Sequence, residues 1–273
     1  MDERTPIRVA VVGAMGRMGR EVLGALTQKE GFDVLVAVDH NEVGRNVRDI
    51  LGPKAPDLVV EGKTGAALDK TPVDVLVDFS HHSAAAPHAI TAMKRGVSAV
   101  IGTTGMADEE LKEIALTCKD TNVAAIYAPN FAVGAVLMMH FARMAARYMP
   151  DAEIIEMHHD KKEDAPSGTA MLTADLIQDG RKEPPHHKHV SLMKVEGVRG
   201  GKYHDTPIHS VRLPGLVAHQ MVIFGGPGET LTLRHDSLDR SSFMQGVKLC
   251  AREVRNLTGL TIGMDNVLFR TAG

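Results

Sequence analysis

The stretch EMHHDKKEDAPSGTA, residues 156–170, gathers two histidines, two lysines and four acids and then runs into Pro-Ser-Gly-Thr-Ala. His158 and His159 can exchange protons near neutrality, and Lys162 offers a compact cation. Pro166 fixes the backbone just before Ser167, Gly168 and Thr169, and the apolar periodic segment AMLTADLI follows, so a helix is expected to begin near Ser167. The first N–H groups of a helix have no intrahelical acceptor, which makes such a start an anion site. Together these residues could hold a carboxylated substrate and hand it a proton. Plainer readings exist for each alone, since a Ser or Thr at a helix start is commonly a cap and a lysine run commonly a solvated face. Zinc is a further option because His186, His187 and His189 are also available. Adjacent histidines on a strand point to opposite faces, however, and neither cysteine is near in sequence, so no metal is expected and the later histidines are read as an exposed loop.

A second chemical motif sits at the amino end. The run IRVAVV leads into Gly13-Ala14-Met15-Gly16-Arg17-Met18-Gly19 and then the helical EVLGAL. Glycine suits a tight strand-to-helix turn in which backbone N–H groups must approach a pyrophosphate with no Cβ in the way. Against the pattern G-x-G-x-x-G, positions 14, 16 and 19 read Ala, Gly, Gly, an imperfect match strengthened by Asp39, which ends the next strand and is placed to accept hydrogen bonds from an adenosine ribose. An acid there favours NAD over NADP, although His40 and Arg45 could offset its repulsion of a 2′-phosphate. Gly102-Thr103-Thr104 and Ala128-Pro129-Asn130-Phe131 fall at the carboxyl ends of further expected strands and are candidates to line the nicotinamide side. His81 and His82 are either cofactor-edge or loop residues.

These residues need elements to position them. Through residue 128, β-branched runs (7–12, 33–39, 73–79, 98–102 and 122–128) alternate with helix-length segments, the pattern of a parallel sheet covered on both faces. The expectation is an α/β chain with a Rossmann-like doubly wound parallel sheet domain formed by residues 1–130 and 241–273. An α+β substrate and oligomerisation domain with a mixed sheet is expected over 131–240. There a long helix (about 133–149), the strand DAEIIEMHH and the runs IHSVRLPGLVAHQMVIFG and ETLTLRHDS follow one another, with a Gly-Gly-Pro-Gly turn at 225–228. The tail SSFMQGVKLCAREVRNL has helical periodicity and is expected to return to the first domain, with its docking place left open.

Composition narrows the partners. With 31 basic and 34 acidic residues the formal charge is −3, which gives no electrostatic case for nucleic acid or an anionic membrane. No membrane-spanning run is read. Cys118 and Cys250, both in apolar helical patterns, suggest buried thiols in a reducing, cytoplasmic setting.

The quoted stretches, with VIGTTG, APNFAVG and SVRLPGLVAHQMVIFGGPGETLTLRHDS, resemble in order and nearly end to end the 4-hydroxy-tetrahydrodipicolinate reductase (dihydrodipicolinate reductase) family. That resemblance implies NADH- or NADPH-dependent reduction of a cyclic dicarboxylate in diaminopimelate and lysine synthesis. It implies His158 as the acid/base residue, Lys162 as a second proton donor, and His159, Gly168 and Thr169 gripping the substrate. Gly13 to Met18, Asp39, Gly102 to Thr104 and Ala128 to Phe131 would contact the dinucleotide. Members are typically homotetramers, and where this chain has Asp39-His40 others often carry Glu-Arg. The residues alone leave open another two-domain dehydrogenase or a dinucleotide sensor without catalysis.

Overall fold

A computed structural model describes residues 5–186 and 192–270. His187 and His189 therefore lie outside the described residues. The first stretch runs β1 (Ile7–Val12), α1 (Arg17–Ala25), β2 (Phe32–Val38), α2 (Val47–Leu51), β3 (Val60–Glu61), α3 (Thr64–Lys70), β4 (Val75–Asp78), α4 (His82–Met93), β5 (Ser98–Ile101), α5 (Asp108–Thr121) and β6 (Ala125–Tyr127). There follow α6 (Val133–Ala146), β7 (Asp151–His158), α7 (Gly168–Gly180), β8 (Gly201–Tyr203), β9 (Thr206–Arg212), β10 (Ala218–Gly226) and β11 (Glu229–Ser237). The chain ends through α8 (Met244–Glu253), β12 (Leu260–Ile262) and α9 (Asp265–Leu268). It forms two compact units, one made of the stretch up to Phe131 together with the stretch from Phe243, the other of Ala132–Ser242.

In the first unit seven described strands form a parallel sheet in the order β12-β6-β5-β4-β1-β2-β3. Every residue of β4 and β5 is buried, as continuous apolar strands covered on both faces require. Ala10, Val12, Val36, Val38 and Leu76 pack on one side with Ala67, Leu68 and Ala92. Elsewhere Ala99, Ile101 and Ala125 pack with Ala85, Ala89, Met93, Ile114 and Cys118. The expected doubly wound sheet is present, and strand order reverses at β1, which has β2 on one side and β4 on the other. Such a reversal opens a crevice at the carboxyl ends of the strands, where ligands of these sheets bind.

In the second unit five described strands form a mixed sheet in the order β11-β10-β7-β9-β8, with β7 parallel to β9 and antiparallel to β10. Along β7 the alternation is regular: Ala152, Ile154 and Glu156 are buried while Glu153, Ile155 and Met157 are only partly so. The buried face carries α6 and α7, which pack so closely that a Cβ on Gly180 would lie 2.1 Å from the Arg143 carbonyl oxygen. The Gly-Pro-Gly segment closes the β10–β11 hairpin with Gly226 paired to Glu229 and Gly228 at φ +79°. Helix α6 stops at Ala146, short of the expected 149, because Pro150 follows and supplies no N–H for another turn. Cys118 and Cys250 are both buried free thiols, and burial pushes that of Cys250 up to about 12. Among the described residues no helix is long and apolar enough to cross a membrane.

Candidate active site

In the first unit, Gly13 adopts φ +71°, and a Cβ there would sit 2.4 Å from the Phe79 carbonyl oxygen at the end of β4. Only glycine fits both conditions. Ala14 is buried and its N–H donates to Val38, while the Met15 N–H donates to the Asp39 carboxylate at 2.8 Å. Asp39 thus fastens the glycine turn to the end of β2, its other oxygen accepting from the Asn41 N–H at 2.9 Å. Two accepted bonds leave a carboxylate further lone pairs for a ribose hydroxyl. Gly16 precedes α1 without any side-chain cap, and with Arg17 it is exposed while Met18 is half-buried, so the helix start faces outward as an anion site needs. His40 is exposed beside Asp39, its Nδ1 3.4 Å from the carboxylate, and Arg45 pairs with Glu42 at 2.6 Å.

At the neighbouring strand ends, Phe79 fills the space beside Gly102, where a Cβ would come within 2.2 Å of its ring, and meets the Phe131 ring at 5.6 Å between centroids. Thr103 is buried and donates to Asp78 at 2.7 Å; Thr104 is exposed. Asp78, itself buried, also accepts from the Ser80 N–H and hydroxyl and lies 2.9 Å from His88 Nδ1. Ala128 is buried with its N–H on the Ile101 carbonyl, Pro129 is exposed, and Asn130 is half-buried. The structure therefore sets the turns after β1, β2, β4, β5 and β6 along one edge of one sheet. His81 caps α4, and its ring lies 4.0 Å from that of His82. The glycine cradle, the uncapped helix start and the acid at the end of β2 fit a dinucleotide.

In the second unit the strand parity separates the two histidines. His158 shares the buried face with Glu156 and brings its Nδ1 to 2.6 Å from that carboxylate, whereas His159 lies past the strand end and is exposed. Lys162 turns back through its N–H to the His159 carbonyl, and its ammonium pairs with Asp164 at 2.6 Å. Lys162 beside it holds the Asp164 carboxyl below the usual range. Ser167 caps α7, accepting from the Ala170 N–H, and Gly168 is exposed at the first helical position. Thr169 is half-buried, its carbonyl bonded to Thr173. His186 lies apart from this cluster, exposed and 3.4 Å from Asp151. Among the described residues no group of three or more histidine, cysteine or acidic side chains is placed to hold a metal ion.

Two residues that the sequence reading assigned no role bind the cluster together. Glu156 is fully buried and accepts from His158, from Arg212 through Nη1 at 2.9 Å and Nη2 at 2.8 Å, and from the Ser167 N–H at 3.3 Å. Burial pushes its carboxyl up, but hydrogen bonds from His158, Arg212 and Ser210 together with the charge of Arg212 prevail and hold it at about 2. Arg212 also donates to the Asp164 carbonyl at 2.8 Å, tying the loop that carries Lys162 to the sheet. A cation, an ionisable ring and a helix start thus converge at the end of β7, suited to an anionic substrate that needs a proton.

Residues 7–131 match the family model described as "Dihydrodipicolinate reductase, N-terminus", and residues 134–268 match that described as "Dihydrodipicolinate reductase, C-terminus". A 4-hydroxy-tetrahydrodipicolinate reductase of Bacillus cereus (strain AH187) is 45% identical over 262 residues, covering 96% of this chain and 98% of that protein. The solved dipicolinate-bound dihydrodipicolinate reductase of Paenisporosarcina sp. TG-14 is 40% identical and superposes with a TM-score of 0.85, over 96% of this chain and 99% of the other. An amine dehydrogenase of Mycobacterium smegmatis shares the fold at TM-score 0.67 and 12% identity, over 97% of each chain.

Proposed function

The chain belongs to the dihydrodipicolinate reductase family, and on that premise we propose that it reduces 4-hydroxy-tetrahydrodipicolinate to tetrahydrodipicolinate, with loss of water, using NADH or NADPH in diaminopimelate and lysine synthesis. The observation that carries the reading is the cluster on Glu156, where His158 and the start of α7 bond to one buried carboxylate while Arg212, bonded to the same carboxylate, holds the loop on which Lys162 pairs with Asp164.

Cofactor binding belongs to the first unit and substrate binding to the second. Gly13 to Met18 receive the pyrophosphate on backbone N–H groups, Asp39 and His40 face the adenosine ribose, and the turns at Gly102–Thr104 and Ala128–Phe131 bound the nicotinamide. When bound, the dihydronicotinamide supplies a hydride to C4 of the unsaturated ring. His158 supplies the matching proton, with Lys162 as a second donor that also balances charge shifting onto the ring. One substrate carboxylate takes the start of α7 at Ser167, Gly168 and Thr169, beside His159, in keeping with the dipicolinate ligand of the Paenisporosarcina structure. The family resemblance supports a homotetramer in the cytoplasm.

The test follows absorbance of NADH with freshly made condensation product of pyruvate and aspartate semialdehyde. The reductase consumes NADH only when that product is present. A chain that binds NADH without any decay is a sensor, and one that acts instead on amino acids is a different dehydrogenase.

A further inference from the structure

A histidine can donate from either ring nitrogen, and which one is available depends on what holds the other. Around Glu156 several donors meet two oxygens: Oε2 accepts from His158 Nδ1 and Arg212 Nη1, Oε1 from Arg212 Nη2 and the Ser167 N–H, and Ser210 adds a further bond to the carboxylate. The second hydrogens of Nη1 and Nη2 go to the Val211 and Asp164 carbonyls, both at 2.8 Å, while the buried Nε–H meets no acceptor among the described residues. Of the side chains that fit such a site, a carboxylate alone accepts on both terminal atoms; an amide would turn an N–H₂ toward at least one pair of donors.

From this geometry we infer that Glu156 and Arg212 are positioning residues of the reaction. Glu156 fixes the His158 hydrogen on Nδ1 and leaves Nε2 as the atom that exchanges a proton with substrate. Arg212 locks the same carboxylate while pinning the loop at Asp164, so the strand bearing His158, the loop bearing Lys162 and the start of α7 keep one mutual geometry. The inference deepens the function proposed above and rests on His158 acting as the proton donor.

The experiment is ¹⁵N spectroscopy of histidine-labelled full-length protein, taken on the alkaline side of the His158 titration, with kinetics on the same samples. The wild-type ring is expected to carry its hydrogen on Nδ1. In Glu156→Gln the hydrogen moves to Nε2 in all or part of the population. Turnover then falls between about 10²- and 10⁴-fold, the range set by displacing a catalytic group and by holding a catalytic histidine in the wrong tautomer. NADH affinity stays within about twofold, because the substituted site is in the other unit. A wild-type ring protonated on Nε2, full turnover in Glu156→Gln, or lost turnover with Nδ1–H unchanged each overturns the assignment. Should Glu156→Gln not fold, Arg212→Lys keeps the carboxylate but replaces the fork by one ammonium. It should retain Nδ1–H and raise KM for the dicarboxylate about tenfold, and an unchanged KM sinks the role of Arg212. Failure of the underlying reading looks different: His158→Gln then turns over normally, whatever tautomer the wild-type ring shows.

Discussion

His158 and Glu156 lie two residues apart on β7, and the period of a strand puts them on one face. His158→Gln keeps a hydrogen-bonding group of similar reach but cannot give up a proton, so turnover should fall by at least about 10²-fold while NADH titration is unchanged. Unaltered turnover would remove His158 from the mechanism. Glu156 makes a separate prediction about stability. Its folded-state value of about 2 lies below the ordinary 4.5, so the charged form favours the fold. That contribution, about 3 kcal/mol, is present above pH 4.5 and drains away as pH falls toward 2. Urea midpoints measured from pH 6 to 2.5 should drop in that window, and more steeply for the wild type than for Glu156→Gln; parallel curves would contradict it. The ring, the lysine and the helix start were legible because each follows from its immediate neighbours in sequence. In that reading Glu156 was one acid among four, and Arg212 had no role at all. Their partnership depends on β9 lying beside β7 with Arg212 opposite His158, a register set by tertiary packing between segments 56 residues apart.

Helix α1 shows how the same substitution can have opposite signs five residues apart. A Cβ on Gly19 would lie 2.0 Å from the Gly13 carbonyl oxygen and 2.8 Å from the Ala14 Cα, both backbone atoms of the glycine turn proposed for the cofactor. Gly24, exposed near the other end of α1, has nothing within 4 Å of its Cβ position. Alanine favours a helix over glycine by about 0.8–1 kcal/mol, so Gly24→Ala should raise the unfolding midpoint. In Gly19→Ala that gain is outweighed by an overpacking cost of about 1–3 kcal/mol, and the helix is pushed off the turn. Gly19→Ala should therefore lose stability and NADH binding together, and retained binding would show that the turn tolerates a displaced helix. The six-residue strand β1 and the loop after it were legible at this scale because an apolar run ending in glycines is a strong local signal. β3 and β12, of two and three residues, are too short to show a period and exist only because a neighbouring strand offers its edge.

The first unit is built from both ends of the chain, with the second unit inserted between them in sequence. The returning segment is structural in a strong sense. β12 extends the parallel sheet by pairing with β6, and α8 packs on α1. Lys248 is buried in α8 with its ammonium 3.4 Å from Glu30, and Arg252 lies over the Phe32 ring at 4.9 Å. Gly246 permits a close crossing, since a Cβ there would meet the Phe131 carbonyl oxygen at 2.1 Å. Helical periodicity announced α8 but could not say where it docks, because contacts between distant segments leave no mark in either one alone. The consequence is a prediction that local reading would get wrong. A chain ending at Ser242 keeps every residue assigned here to the cofactor, yet it bares the edge of β6 and the face of α1 that α8 covers. Such a chain should bind a hydrophobic dye and show no NADH fluorescence enhancement at concentrations that saturate the full protein. If it binds NADH normally, the glycine turn and Asp39 form a site that the strands up to β6 support by themselves, and the closing segment must be conserving something other than the cofactor cradle.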